Sequence, residues 1–135
     1  MSSYVTAFKA TDYMKRYDEA KRVIDKYPDK CSVIVGRAEG SDVPEIDRHK
    51  FLTPRELTVG QFSHMIRERL DIPSEKALFL FSGKVLPVAS LTMGCLYDQH
   101  KDRDEFLYIS YTSENTFGAF THPYYLYHSP KDESS

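Results

Sequence analysis

The stretch that narrows the choice of fold most sharply is Phe106-Leu-Tyr-Ile-Ser-Tyr111, aromatic or β-branched at every position except Leu107 and Ser110. That composition suits a strand half or fully buried in a sheet. The residues that follow, Ser113, Glu114, Asn115 and Thr116, have neither the periodicity nor the apolar content to pack. The sheet is therefore built from what lies upstream, and the polar lead reads as an arm that carries Phe117-Gly118 away from it. Gly118 has two readings at this level: a terminus offered to another protein's active site, or a residue that merely allows a turn before the tail.

Upstream, Tyr13, Tyr17, Ala20, Ile24 and Tyr27 recur every three or four residues among charged neighbours. This spacing predicts an amphipathic helix from Asp12 to Lys26, stopped before Pro28. Tyr4 to Thr11 reads as a short helical turn ahead of it. Cys31-Ser-Val-Ile-Val35 is the first buried strand, and Arg37 to Arg48, polar and without period, is a loop. Lys50-Phe-Leu-Thr53, halted by Pro54, suits the edge of a sheet. Thr58-x-x-Gln61 is a capping box, with Leu57 and Phe62 placed to staple across it; the helix it opens carries Val59, Phe62, Ile66 and Leu70 on one stripe. Ala77 to Phe81 is a third strand, and Thr92 to His100 a short helix burying Met93, Leu96 and Tyr97. Two antiparallel strands, a crossover helix and two further strands describe an α+β roll of the ubiquitin-like, β-grasp kind: a four-stranded mixed sheet with its last strand beside its first, preceded by an N-terminal helical arm. The expected division is an arm over 1–29, the roll over 30–112, the lead over 113–118 and a tail over 119–135.

A chain of 135 residues suits one domain with one core. Eighteen basic against 20 acidic residues leave a net charge of -2, so no global field favours nucleic acid. Two cysteines and no apolar stretch like a signal peptide point to a reducing, cytoplasmic setting without disulfides. The longest apolar run, Ala77 to Phe81, is too short to cross a membrane, so attachment to one would be covalent or borrowed.

Nucleophilic chemistry would have to use Cys31 or Cys95 with His49, His64 or His100. Both cysteines instead read as small core residues, and no phosphate loop, dinucleotide fingerprint or metal-ligand spacing stands out, so the chain does not read as an enzyme and needs no cofactor or metal. Binding is better supported, because an edge strand offers unpaired backbone groups to an extended peptide. Alternation puts Phe51 and Thr53 on one face and Lys50 and Leu52 on the other. One pocket is expected between the arm and the sheet, from Val23, Ile34, Leu52 and Phe106. Another is expected between the edge strand and the capped helix, from Phe51, Pro54, Leu57, Phe62 and Ile66. Lys30, Lys50 and Arg67 would hold acidic residues flanking the peptide.

Taken together, Lys26-Tyr-Pro-Asp-Lys30, Ser41-Asp-Val-Pro-Glu-Ile-Asp47, Lys50-Phe-Leu-Thr-Pro54, Leu57-Thr-Val-Gly-Gln-Phe62, Ile66-Arg-Glu-Arg69 and Phe106 to Tyr111 through Glu114-Asn-Thr-Phe-Gly118 resemble the autophagy-related protein 8 family of ubiquitin-like modifiers, without gaps from about Lys15 to Gly118. The resemblance implies that a cysteine protease reads Phe117, cuts between Gly118 and Ala119, and that E1-like and E2-like enzymes pass the freed carboxylate to phosphatidylethanolamine. A cytoplasmic monomer would thereby become an autophagosome-membrane protein. It also implies that cargo receptors add an aromatic-x-x-aliphatic motif to the edge strand, at Glu19, Val23, Lys30, Ile34, Lys50, Phe51, Leu52, Pro54, Leu57, Phe62, Ile66, Arg67 and Phe106, with a second face at Phe79 and Phe81. Three departures stand out. Ser32 replaces a usual proline in the first strand. Asp12 replaces a proline that often separates two N-terminal helices, which leaves the arm free to run as one. The tail carries Phe120, Tyr124, Tyr125, Leu126 and Tyr127, apolar for a disposable peptide. The alternative is an unconjugated ubiquitin-like scaffold that keeps its tail.

Overall fold

The computed structural model describes residues 3–114; Phe117, Gly118, Ala119 and the rest of the tail lie outside the described residues. The elements run α1 (Ser3–Lys9), α2 (Tyr13–Lys26), β1 (Lys30–Arg37), β2 (Lys50–Pro54), α3 (Val59–Leu70), β3 (Phe79–Phe81), α4 (Met93–His100) and β4 (Leu107–Thr112). They build the expected α+β roll. The sheet has the order β2-β1-β4-β3, with β1 antiparallel to β2 and parallel to β4. The last strand is therefore central and β2 is an edge.

The arm is not one helix. Asp12 takes extended backbone angles, and its carboxylate accepts the Lys15 N–H at 3.1 Å, so it caps α2 instead of continuing α1. An aspartate here does the work of a proline by offering a better partner to the backbone than the next helical turn would. The capping box forms as expected: Thr58 accepts from Gln61 N–H at 3.1 Å and the Gln61 amide oxygen accepts from Thr58 N–H at 2.9 Å. At the far end of α3, Asp71 adopts a left-handed conformation and its N–H closes the last turn on Arg67 and Glu68.

The sheet separates two apolar layers. On one face Cys31, Val33, Val35, Leu107, Ile109 and Tyr111 meet Phe62 and Ile66 of α3 and Met93 and Leu96 of α4. On the other, Ile34 and Phe106 meet Val5 and Ala20 of the arm. Each fully buried side chain of this size contributes roughly 1.5–3 kcal/mol, so docking the arm is part of the fold. Arg37, expected in the loop, is the last residue of β1; the loop proper runs over 38–48 and is pinned by buried Ala38, Val43 and Ile46. Tyr111, wholly buried at the centre of the sheet, donates its hydroxyl to Pro44 C=O and receives Ile46 N–H, both at 2.8 Å.

Candidate functional site

The register of β1 and β2 fixes which backbone groups of the edge point outward. His49 O accepts Val35 N–H at 2.7 Å, and in an antiparallel ladder directly bonded pairs alternate, so Phe51 and Thr53 also face β1. Lys50 and Leu52 then turn their N–H and C=O groups away from the sheet. Consistent with this, Lys50 C=O receives the Arg48 guanidinium at 2.9 Å. An arriving strand would meet that arginine first. Side chains follow the same alternation: Phe51 and Thr53 are buried, whereas Leu52 is 37% exposed and Lys50 is exposed.

A groove of about 230 Å³ runs beside this edge, walled by Glu19 and Val23 of α2 and by Tyr27, which caps that helix, and floored by Ser32, Val33, Leu52 and Phe106. Its mouth is bridged by the Glu19 carboxylate and the Lys50 ammonium, 2.8 Å apart. The pair is half exposed, so water screens it and it is cheap to part. Lys50 also lies 5.2 Å from the centre of the Phe8 ring. Ser32 carries its hydroxyl on the floor without breaking the ladder, opposite Leu52. Ile34 is fully buried beneath the arm and supports the floor through Phe106.

The structure also places the residues expected in a second pocket. Phe62 and Ile66 are fully buried in the main core, and Phe51 meets Phe62 edge-on at 5.8 Å, with the Arg48 and Arg69 guanidinium groups over its ring at 5.5 and 5.8 Å. Of the set Phe51, Phe62 and Ile66 are buried, and Pro54 and Leu57 keep partial exposure. Of the three expected cations only Lys50 reaches the groove; Lys30 pairs with Pro54 in the ladder and Arg67 donates to Pro73 C=O at 3.2 Å. Phe79 is half-buried and Phe81 is 1% exposed.

The cysteines differ from expectation in one respect. Cys31 is wholly buried, and burial pushes its thiol up. Cys95 is exposed, not a core residue, because it falls on the outer side of α4 between buried Gly94 and Leu96. His49, one of the proposed bases, stacks on Tyr4 at 3.7 Å with Nδ1 on Val35 C=O, and His64 faces Glu68 at 3.3 Å.

Sequence reasoning missed what sets the position of α2. Arg16 Nε reaches Asp104 Oδ2 at 2.9 Å, Tyr108 donates its hydroxyl to the same oxygen, and Asp104 Oδ1 accepts Phe106 N–H at 3.0 Å. The Asp104 hydrogen bond and burial act in opposite directions on Arg16, and the net effect raises its pKa further. Burial and the Asp104 contact push the Tyr108 phenol well above its usual range.

With this geometry in view, likeness to known proteins is specific. The family described as "Autophagy protein Atg8 ubiquitin like" matches residues 15–118. Autophagy-related protein 8d of Arabidopsis thaliana is 54% identical over 106 residues, covering 78% of this chain and 88% of that protein. Autophagy-related protein 8 of Mycosarcoma maydis is 48% identical over 114 residues, covering 84% and 97%. The crystal structure of Trypanosoma brucei ATG8 superposes with a TM-score of 0.76 at 36% identity, covering 87% of this chain and 99% of that one. This chain therefore belongs to the Atg8 family of ubiquitin-like autophagy proteins.

Proposed function

We propose that the chain is a lipid-conjugated modifier: a cysteine protease cuts it after Gly118, E1-like and E2-like enzymes carry the new carboxylate as thioesters, and phosphatidylethanolamine receives it as an amide. The observation that carries this reading is that the family match ends at Gly118, with 17 further residues beyond it. Glycine suits the role because it has no Cβ to obstruct a narrow protease cleft or to shield its carbonyl from attack. Two acyl chains, at about 0.8 kcal/mol per buried methylene, hold a domain on a membrane where one would not. Once anchored there, the β2 edge and its groove recruit cargo receptors through aromatic-x-x-aliphatic segments added as a further strand, with the aromatic residue in the groove between α2 and Leu52. The family's second face, at Phe79 and Phe81, would require Phe81 to become exposed.

Incubation of the full chain with the family's processing protease, followed by mass measurement, tests the first step. Loss of Ala119–Ser135, and then gain of one phosphatidylethanolamine in the presence of the E1-like and E2-like enzymes and vesicles, is expected. A chain that keeps its full mass would instead be an unconjugated scaffold.

A further inference from the structure

A second depression, about 580 Å³, opens on the arm's side of the sheet, between α1, the turn after β3, the end of α4 and β4. Val5, Tyr108 and Ser110 line it, and the lysines at positions 9, 84 and 101 border it against Asp102 as the lining carboxylate, which leaves the lining net positive. Lys9 reaches Asp102 at 2.8 Å and lies 4.4 Å over the Tyr108 ring. It is larger than the groove beside β2 and shares no lining residue with it.

We propose that this depression is the docking site of the chain's own C-terminal segment, residues 119–135, with the Tyr124-Tyr-Leu-Tyr127 run in the groove and Asp132-Glu133 at the lysine-bearing rim. Three observations converge. The segment is rich in large apolar side chains for its length, with Phe120 added to the run, and its acidic pair is opposite in sign to the rim. Tyrosine rings suit a groove already lined by a ring and by ammonium groups, since both stacking and cation-π contact are available there. The tether also fits. Ser110 lines the groove only four residues before Glu114, roughly 13 Å of strand, while Tyr124 lies ten residues beyond Glu114, a reach of up to about 33–36 Å. By contrast the β2 edge is two strands away from β4. Because the segment is attached, its effective concentration is on the order of millimolar, so a weak contact suffices to fill the groove. If the chain is cut after Gly118, as proposed above, release of the segment opens the groove; the docking itself does not depend on that cut.

The test uses the full chain with Cys95→Ser and Ser129→Cys, a nitroxide on the new thiol, and amide signal intensities compared between oxidised and reduced label; buried Cys31 stays unlabelled. Expected is a loss of more than half the signal at Ser82, Gly83 and Lys101, unchanged on tenfold dilution, and reduced at least twofold by Lys84→Glu or by joint replacement of Tyr124, Tyr125 and Tyr127 with serine. Signal loss centred on Lys50–Pro54, loss spread evenly or absent, or loss that fades on dilution because a second copy is the occupant would each overturn the proposal. Cleavage after Gly118 is read separately by mass, so failure of docking and failure of processing are told apart.

Discussion

Replacing Asp104 with alanine asks whether the helical arm is held on the sheet by one buried polar junction. Asp104 is 2% exposed and accepts from Arg16, Tyr108 and the Phe106 amide; the Arg16 side chain is itself only 12% exposed. The alanine leaves a guanidinium, a phenol and a backbone N–H without their partner where little water reaches. Removing one side of a buried ion pair costs about 3–5 kcal/mol, a large part of the roughly 5–15 kcal/mol that stabilises a domain. With a urea slope of about 2 kcal/mol/M, the unfolding midpoint falls by about 1.5–2.5 M. Adding Arg16→Met removes the orphaned cation, so the double variant is expected to be about 2 kcal/mol more stable than the sum of the single losses predicts. Additivity within about 0.5 kcal/mol would refute the reasoning, because it would mean that the two groups do not feel each other.

Leu52→Ala removes exposed apolar surface from the groove floor, and calorimetry with an aromatic-x-x-aliphatic peptide is expected to show affinity lower by about five- to thirtyfold, or about 1–2 kcal/mol, with the urea midpoint unchanged. Tyr111→Phe orphans the buried Ile46 N–H and is expected to cost about 1–3 kcal/mol in urea unfolding. Burial is the main cause that pushes the Tyr111 phenol up to about 12. Its folded value therefore lies above the unfolded value of about 10, and its contribution is present below pH 10 and lost as pH climbs towards 12. The difference between wild type and variant should narrow across that window. At Asp102 burial acts to raise the carboxyl, yet Lys9 and the Arg103 N–H hold it below its usual range. That contribution is present above the unfolded value of about 3.9 and disappears as pH falls through the folded one. Protection factors in Ser3–Lys9, each taken against the intrinsic exchange rate at the same pH, should therefore fall on acidification, and Asp102→Asn should abolish that fall.

Local signals carried most of the fold. The Thr58-x-x-Gln61 box, Pro54 after a four-residue apolar alternation, and the aromatic run at Phe106–Tyr111 each act within a few residues, so their structure is legible before any tertiary contact is known. The groove beside β2 was legible for the same reason, since alternation alone separates Leu52 from Phe51. What escaped was non-local. Arg16 and Asp104 are 88 positions apart, and nothing near either reveals the pairing. The anchors of the 38–48 loop were hidden because Val43 and Ile46 follow no period; the Tyr111 hydroxyl holds Pro44 and Ile46, and the Arg37 guanidinium donates to Val43 C=O at 3.0 Å. Phe62 and Ile66 admit two readings, pocket lining or plain core, because the stripe they share is what an ordinary core helix shows; both are buried in the main core. Asp12 was ambiguous because the same side chain can sit within a helix or cap the next one.

The backbone amide of Leu52 must bond any extended peptide that joins β2 as a further strand, and it therefore reports on that addition directly. It points away from β1, whereas the amides of Phe51 and Thr53 point towards it. Amide hydrogen exchange of the full chain, with and without a saturating aromatic-x-x-aliphatic peptide, should show Leu52 slowed by at least tenfold and Phe51 and Thr53 little changed. A peptide that binds while Leu52 continues to exchange at its free rate would contradict strand addition at this edge.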